Sequence, residues 1–76
     1  MKELMKEFKQ RATKQGIKVT NIKAKHKLYF TCTISGKISG SHEDCQVLIY
    51  NNRFPIYWND NYLDTVWRDE RGVKNG

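Results

Sequence analysis

Proline occurs once in this 76-residue chain, cysteine twice, and apolar residues never run for long. The longest apolar run, Val47–Ile49 extended to Tyr50, is far too short to cross a bilayer, so no membrane partner is expected. Two cysteines make no disulfide framework, and a Cys32–Cys45 bridge is disfavoured in the reducing cytoplasm where such a chain is expected. The N-terminus is charged from Lys2 and lacks the apolar stretch of a secretory signal. The length allows one domain with a modest core and argues against a deep catalytic cleft.

Acidic residues are also scarce in one part of the chain. Residues 1–27 hold nine lysines and arginines against two glutamates, a net of +7, whereas residues 28–76 hold five basic and six acidic side chains, a net of −1. The overall +6 therefore belongs to the first third. A basic field of this kind attracts polyanions and speeds their encounter, although lysines also serve simply to solubilise small domains.

What is present patterns well. In residues 2–15, Leu4, Met5, Phe8 and Ala12 form one helical stripe, with Lys2, Lys6, Lys9 and Thr13 on the other side and Gly16 placed to end the helix. Four apolar residues make too thin a stripe for a membrane-surface helix, so the stripe is expected to pack on a sheet. Residues 17–34 read as two strands. Ile17 and Val19 alternate, then Ile22 and Ala24 alternate on the opposite parity, which implies a bulge near Thr20-Asn21, with a turn at Lys25-His26. Leu28, Phe30, Cys32 and Ile34 then line one face, with Tyr29, Thr31 and Thr33 on the other. A Gly/Ser-rich connection follows over residues 35–44.

Residues 45–58 read as a hairpin turning at Asn51-Asn52, since asparagine tolerates the positive φ that two-residue hairpin turns need. That register pairs Val47 with Ile56 and Gln46 with Tyr57. It puts Cys45, Val47, Ile49, Phe54, Ile56 and Trp58 on a core face, and Gln46, Leu48, Tyr50, Arg53, Pro55 and Tyr57 on an open one. Pro55 cannot donate a ladder hydrogen bond and suggests an edge strand or an outward position.

Residues 61–71 carry two patterns. Leu63, Val66 and Trp67 have helical spacing with Asp60 or Asn61 as cap, Gly72 as terminator and an Asp64–Arg68 pair at i+4, whereas Leu63, Thr65 and Trp67 alternate as a strand would. Caps and charge placement favour a short helix, and residues 73–76 read as a frayed tail. The expected architecture is an α+β two-layer domain in the order αββββα, with the N-terminal helix packed on a four-stranded antiparallel sheet and a short C-terminal helix.

No catalytic constellation is positioned. His42, Glu43, Asp44 and Lys37 lie in the Gly/Ser-rich loop, which cannot hold acid–base groups at fixed distance, so no enzyme is expected. Cys32, His42 and Cys45, with His26 across a turn, have ligand chemistry but no CxxC anchor and only three convergent members, so neither metal nor cofactor is implied. The remaining candidates are surfaces. Lys6, Lys9, Lys18, Lys23, Lys25, Lys27 and Arg53 are expected to contact nucleic-acid phosphates, either in free nucleic acid or in a nucleoprotein. Tyr29, Leu48, Tyr50, Tyr57 and Trp67 are expected to pack on a partner, because aromatic side chains both stack bases and anchor protein interfaces. The alternative is a phage or mobile-element interaction protein that inhibits a host enzyme, for example a defence nuclease, by covering its surface. An open face or edge strand also suits homodimerisation.

Overall fold

The structure is a computed structural model that describes residues 2–36 and 40–69. Lys2–Lys14 form the helix α1, with Glu3 in the first turn and Arg11 and Lys14 in the last, as the helix dipole favours. It ends at Gly16, whose φ of +84° is the left-handed conformation that glycine supplies at a helix terminus. Five strands follow: β1 (Ile17–His26), β2 (Tyr29–Gly36), β3 (His42–Leu48), β4 (Arg53–Trp58) and β5 (Asn61–Trp67). They form one antiparallel sheet in the order β1-β2-β3-β4-β5.

The order is therefore αβββββ, with five strands rather than four and β5 in place of the expected C-terminal helix. Two features explain the difference. Asn59 and Asp60, with φ of +49° and +65°, make the two-residue turn of a β4–β5 hairpin, so they reverse the chain instead of capping a helix. Ile56 pairs with Asp64 while Tyr57 pairs with Tyr62, which leaves Leu63 as an extra residue. That bulge lets Leu63 and Val66, three apart, both face the core. The helical spacing was a bulged strand. Arg68 turns to Glu7 at 2.9 Å, and the expected tail at residues 73–76, with Gly72, lies outside the described residues.

Other expectations shift less. The β3–β4 register pairs Val47 with Ile56 and Gln46 with Tyr57 as expected. Neither Asn51 nor Asn52 adopts positive φ, however. The Tyr50 amide donates to the Arg53 carbonyl at 3.1 Å across Asn51-Asn52, and the Tyr50 and Asn52 carbonyls accept hydrogen bonds from the Arg68 side chain (2.7 Å) and amide (2.9 Å), which shape the turn. β4 is an interior strand and Pro55 is buried in it, neither at an edge nor exposed on an open face as expected; the β3–β4 register ends there because Pro55 has no N–H to give. The β1 bulge falls where the parity change placed it: pairing jumps from Thr20 to Lys23, and Asn21 has φ +54°. The first hairpin turns at Lys27-Leu28 rather than Lys25-His26, and Leu28 is 62% exposed instead of interior.

The core is Phe8 and Ala12 of α1 against Ile17, Val19, Phe30, Cys32, Ile34, Cys45, Val47, Phe54, Ile56 and Val66. Phe8 meets Phe30 and Phe54 edge-on at 5.3 and 5.4 Å, a geometry that adds to simple burial. Gly36 pairs with Ile17 and sits so close to Gly16 that a Cβ would lie 2.9 Å from the Gly16 carbonyl oxygen. The sheet curls around this core. Gln15, just ahead of β1, donates to the Thr65 carbonyl (3.0 Å) and accepts from the Trp67 amide (2.9 Å), so its side chain pairs with the margin of β5 as a neighbouring strand would.

Candidate nucleic-acid interface

Because α1 and the core occupy one side of the sheet, the other side is open, and the register fixes which residues it carries. Lys18 lies opposite Ser35 and Thr20 opposite Thr33. A row then crosses all five strands from Lys23 through Thr31, Gln46 and Tyr57 to Tyr62. The next row begins His26, Tyr29, Leu48. Lysines and hydroxyls populate the β1–β2 end of this face and aromatic rings the β4–β5 end. The β1 bulge makes this arrangement. By resetting parity at Asn21, it keeps Ile22 against the core while Lys18, Thr20 and Lys23 share the open face.

The cations divide sharply. Glu7 receives both arginines near the helix: Arg11 at 3.1 Å and Arg68 through two contacts of 2.9 and 3.0 Å. These hydrogen bonds, Arg68 first, hold the Glu7 carboxyl below its ordinary range, against the opposing effect of burial. Arg68 also lies over the Phe54 ring at 4.9 Å. Arg53 lies over Tyr50 at 4.5 Å and donates to Asn52. Arg11 and Arg68 both pair with Glu7, whereas among the described residues Lys2, Lys6, Lys9, Lys14, Lys18, Lys23, Lys25 and Lys27 are exposed and have no carboxylate partner.

The expected site residues thus separate into groups. Lys18, Lys23, Lys25 and Lys27 follow one another along β1 and its turn, beside Tyr29. Lys6 and Lys9 lie on the solvent side of α1, in the other layer, although α1 packs chiefly against β1. Leu48 and Tyr29 are neighbours across β2–β3. Tyr57 contacts Tyr62 edge-on at 5.7 Å, and Trp67 lies opposite Arg53 at the far end of β5. The structure does not bring Arg53 or Tyr57 beside the lysines.

Three residues were missed from sequence. Tyr62 is 56% exposed, and its hydroxyl meets that of Thr65 at 2.5 Å; it joins the face only once β5 is known to be a strand. His26 stacks on Tyr29, with planes 20° apart and centroids at 5.8 Å. The Leu28 amide donates to His26 Nδ1 at 3.2 Å, which ties the imidazole to the turn and leaves Leu28 outside.

Among the described residues no three His, Cys, Asp or Glu side chains converge as a metal site would require. Cys32 and Cys45 are direct cross-strand partners with free thiols. Burial pushes the Cys32 thiol up to about 12 and raises Cys45 as well, so both remain protonated and poorly nucleophilic. His42 packs edge-on to Trp58 at 4.8 Å, and its backbone carbonyl accepts from the Cys45 thiol. His42, Glu43 and Asp44 belong to β3 and not to the expected loop, and Lys37 lies outside the described residues. No described helix is long and apolar enough to cross a membrane.

Compared with known proteins, the chain matches no family model, no curated protein and no solved structure.

Proposed function

We propose that this chain is a non-enzymatic nucleic-acid-binding module. One observation carries the reading: the arginines near the helix are consumed by Glu7, while the lysines of α1 and β1 are exposed and, among the described residues, have no carboxylate partner. A charge set that does no internal work and lies on adjacent elements suits a polyanion. The open sheet face beside it offers hydroxyls and rings that can meet sugars and bases.

The test is an electrophoretic shift series with single-stranded and duplex DNA and RNA over rising salt. If Lys18, Lys23, Lys25 and Lys27 each meet a phosphate, log affinity falls against log salt with a slope of about −3 on a single strand. Absence of retention of any nucleic acid at low salt overturns the reading.

A second reading rests on the aromatic side chains of β3, β4 and β5. Tyr50 and Tyr62 are 44% and 56% exposed, and Leu48, Tyr57 and Trp67 are half-buried, a composition that suits a protein interface. On it, the chain inhibits a host enzyme by surface binding. Partner capture that survives nuclease treatment favours this reading; capture abolished by nuclease favours the first.

A further inference from the structure

The geometry points to single-stranded nucleic acid as the ligand, with an unpaired base stacking on the His26–Tyr29 ring pair and its flanking phosphates met by Lys23, Lys25 and Lys27. This deepens the nucleic-acid reading and rests on it.

His26 and Tyr29 are the last paired residues of the β1–β2 hairpin, and their rings are close to parallel. The Leu28 amide holds His26 Nδ1, which orients the ring and leaves Nε2 to carry the hydrogen of the neutral imidazole. His26 is exposed and Tyr29 half-buried, so the pair is braced on one side and open on the other. Leu28, in the turn between the two residues, is 62% exposed. Lys23, Lys25 and Lys27 recur at every second residue into the same turn, and all are exposed and have no carboxylate partner among the described residues. Lys23 and Lys25 stand on the edge strand β1 and Lys27 in the turn that follows it, so the three ammonium groups are distributed from strand to turn and meet successive charges of a polyanion better than one point charge.

The rings decide between single strand and duplex. In a duplex the base faces are stacked on one another, so a duplex meets the lysines but offers nothing to the rings. An unpaired base presents its π-face, and stacking on aromatic side chains tolerates any sequence. Leu28 does not serve as a groove wedge: its carbonyl accepts from the Ile49 amide at 3.3 Å, so the turn belongs to the rim of the sheet and does not project as an arm.

The experiment is fluorescence anisotropy of the full chain with a labelled mixed-sequence 20-mer, single-stranded and annealed, in DNA and RNA forms, at fixed low salt. Single strands should bind more tightly than duplexes. His26→Ala should weaken single-strand binding roughly fivefold or more and leave duplex binding unchanged. His26→Phe, which keeps a ring, should retain the single-strand preference. Lys25→Ala should weaken both forms and flatten the salt slope by about 0.7 on the single strand. Asn61→Ala, beside the β4–β5 turn, should change neither, and circular dichroism of each variant confirms folding. Equal affinity for both forms, or equal losses in His26→Ala, overturns the stacking site while leaving a nucleic-acid module standing. Failure to bind any of the four ligands overturns both.

Discussion

The two outer hairpins of the sheet, β1–β2 and β4–β5, have the same topology and opposite economies of polar groups. In β4–β5 the polar groups turn inward to the protein: Arg68 ties Glu7 of the helix to the β3–β4 turn, and Gln15 pairs with the backbone of Thr65 and Trp67. In β1–β2 they turn outward: the lysines have no carboxylate partner among the described residues, and Leu28 and His26 are exposed at the turn. One hairpin is fastened and the other is offered. The difference teaches that charge in this molecule has two uses, and that residue type separates them, with arginine in the forked contacts and lysine at the free surface. A planar guanidinium suits the bidentate Glu7 contact, whereas a lysine ammonium on a flexible stem suits a mobile polyanion.

Substitution at the fastened hairpin should give the largest effect. Arg68→Ala removes the paired contact to Glu7, the bond to the Tyr50 carbonyl and the cation over Phe54. Breaking a part-buried network and leaving Glu7 with Arg11 alone should cost about 2–4 kcal/mol. That is a large share of the total for a domain this small, at roughly 0.05–0.15 kcal/mol per residue. Lys25→Ala in the offered hairpin should change stability by less than about 0.5 kcal/mol. Urea midpoints of the two variants check the contrast, and equal losses would erase the distinction drawn here.

A smaller effect separates the two asparagine-containing turns. Asp60 has φ +65°, which a β-branched residue resists, so Asp60→Val should cost about 1–3 kcal/mol. Asp60→Gly should gain a few tenths, because Asn-Gly is favoured for such a turn. Asn51 is exposed without positive φ, so Asn51→Val should be nearly neutral by thermal melting. A large loss at Asn51 would place the strained turn where the sequence pattern first suggests it.

Those turns also show what was legible beforehand. Alternation revealed the helix stripe, the β1 bulge and the register of Val47 on Ile56, because each side of those elements meets a different environment. It failed at β5, where the bulge at Leu63 puts Leu63 and Val66 three apart on one face and mimics a helix. Asparagine identity signalled positive φ but not location: Arg68, sixteen residues beyond Asn52, claims that turn's carbonyls. The individual lysines were readable as candidates. Their lack of partners was not, since it depends on Glu7 being taken by an arginine 61 residues away. His26 and Leu28 read in the sequence as a turn residue and a core residue for a related reason: the ring stack and the turn hydrogen bond that give them another part form only when the hairpin closes.

The gentlest probe of the contrast is acid. Glu7 is held below its ordinary value of 4.5 in the folded chain, with the Arg68 hydrogen bonds as the main cause. A carboxyl depressed by folding stabilises the protein fully above its unfolded value and loses that contribution as pH falls through the folded one. Stability should therefore decline below pH 4.5, more steeply in the wild-type chain than in Glu7→Gln, whose curve lacks this component and starts lower at neutral pH. Glu7 is 29% exposed on its side chain, so water weakens the interaction and the component should be modest. Residue-resolved amide exchange at successive pH values locates the loss. Protection should fall first around Arg68, Tyr50 and the end of β5, which share the Glu7 clamp, while β1 opposite Thr31 and Thr33 keeps its protection, having no carboxylate to lose. Loss of protection beginning in β1 would show that acid acts through some other group and that the Glu7 clamp does not set the stability of this margin.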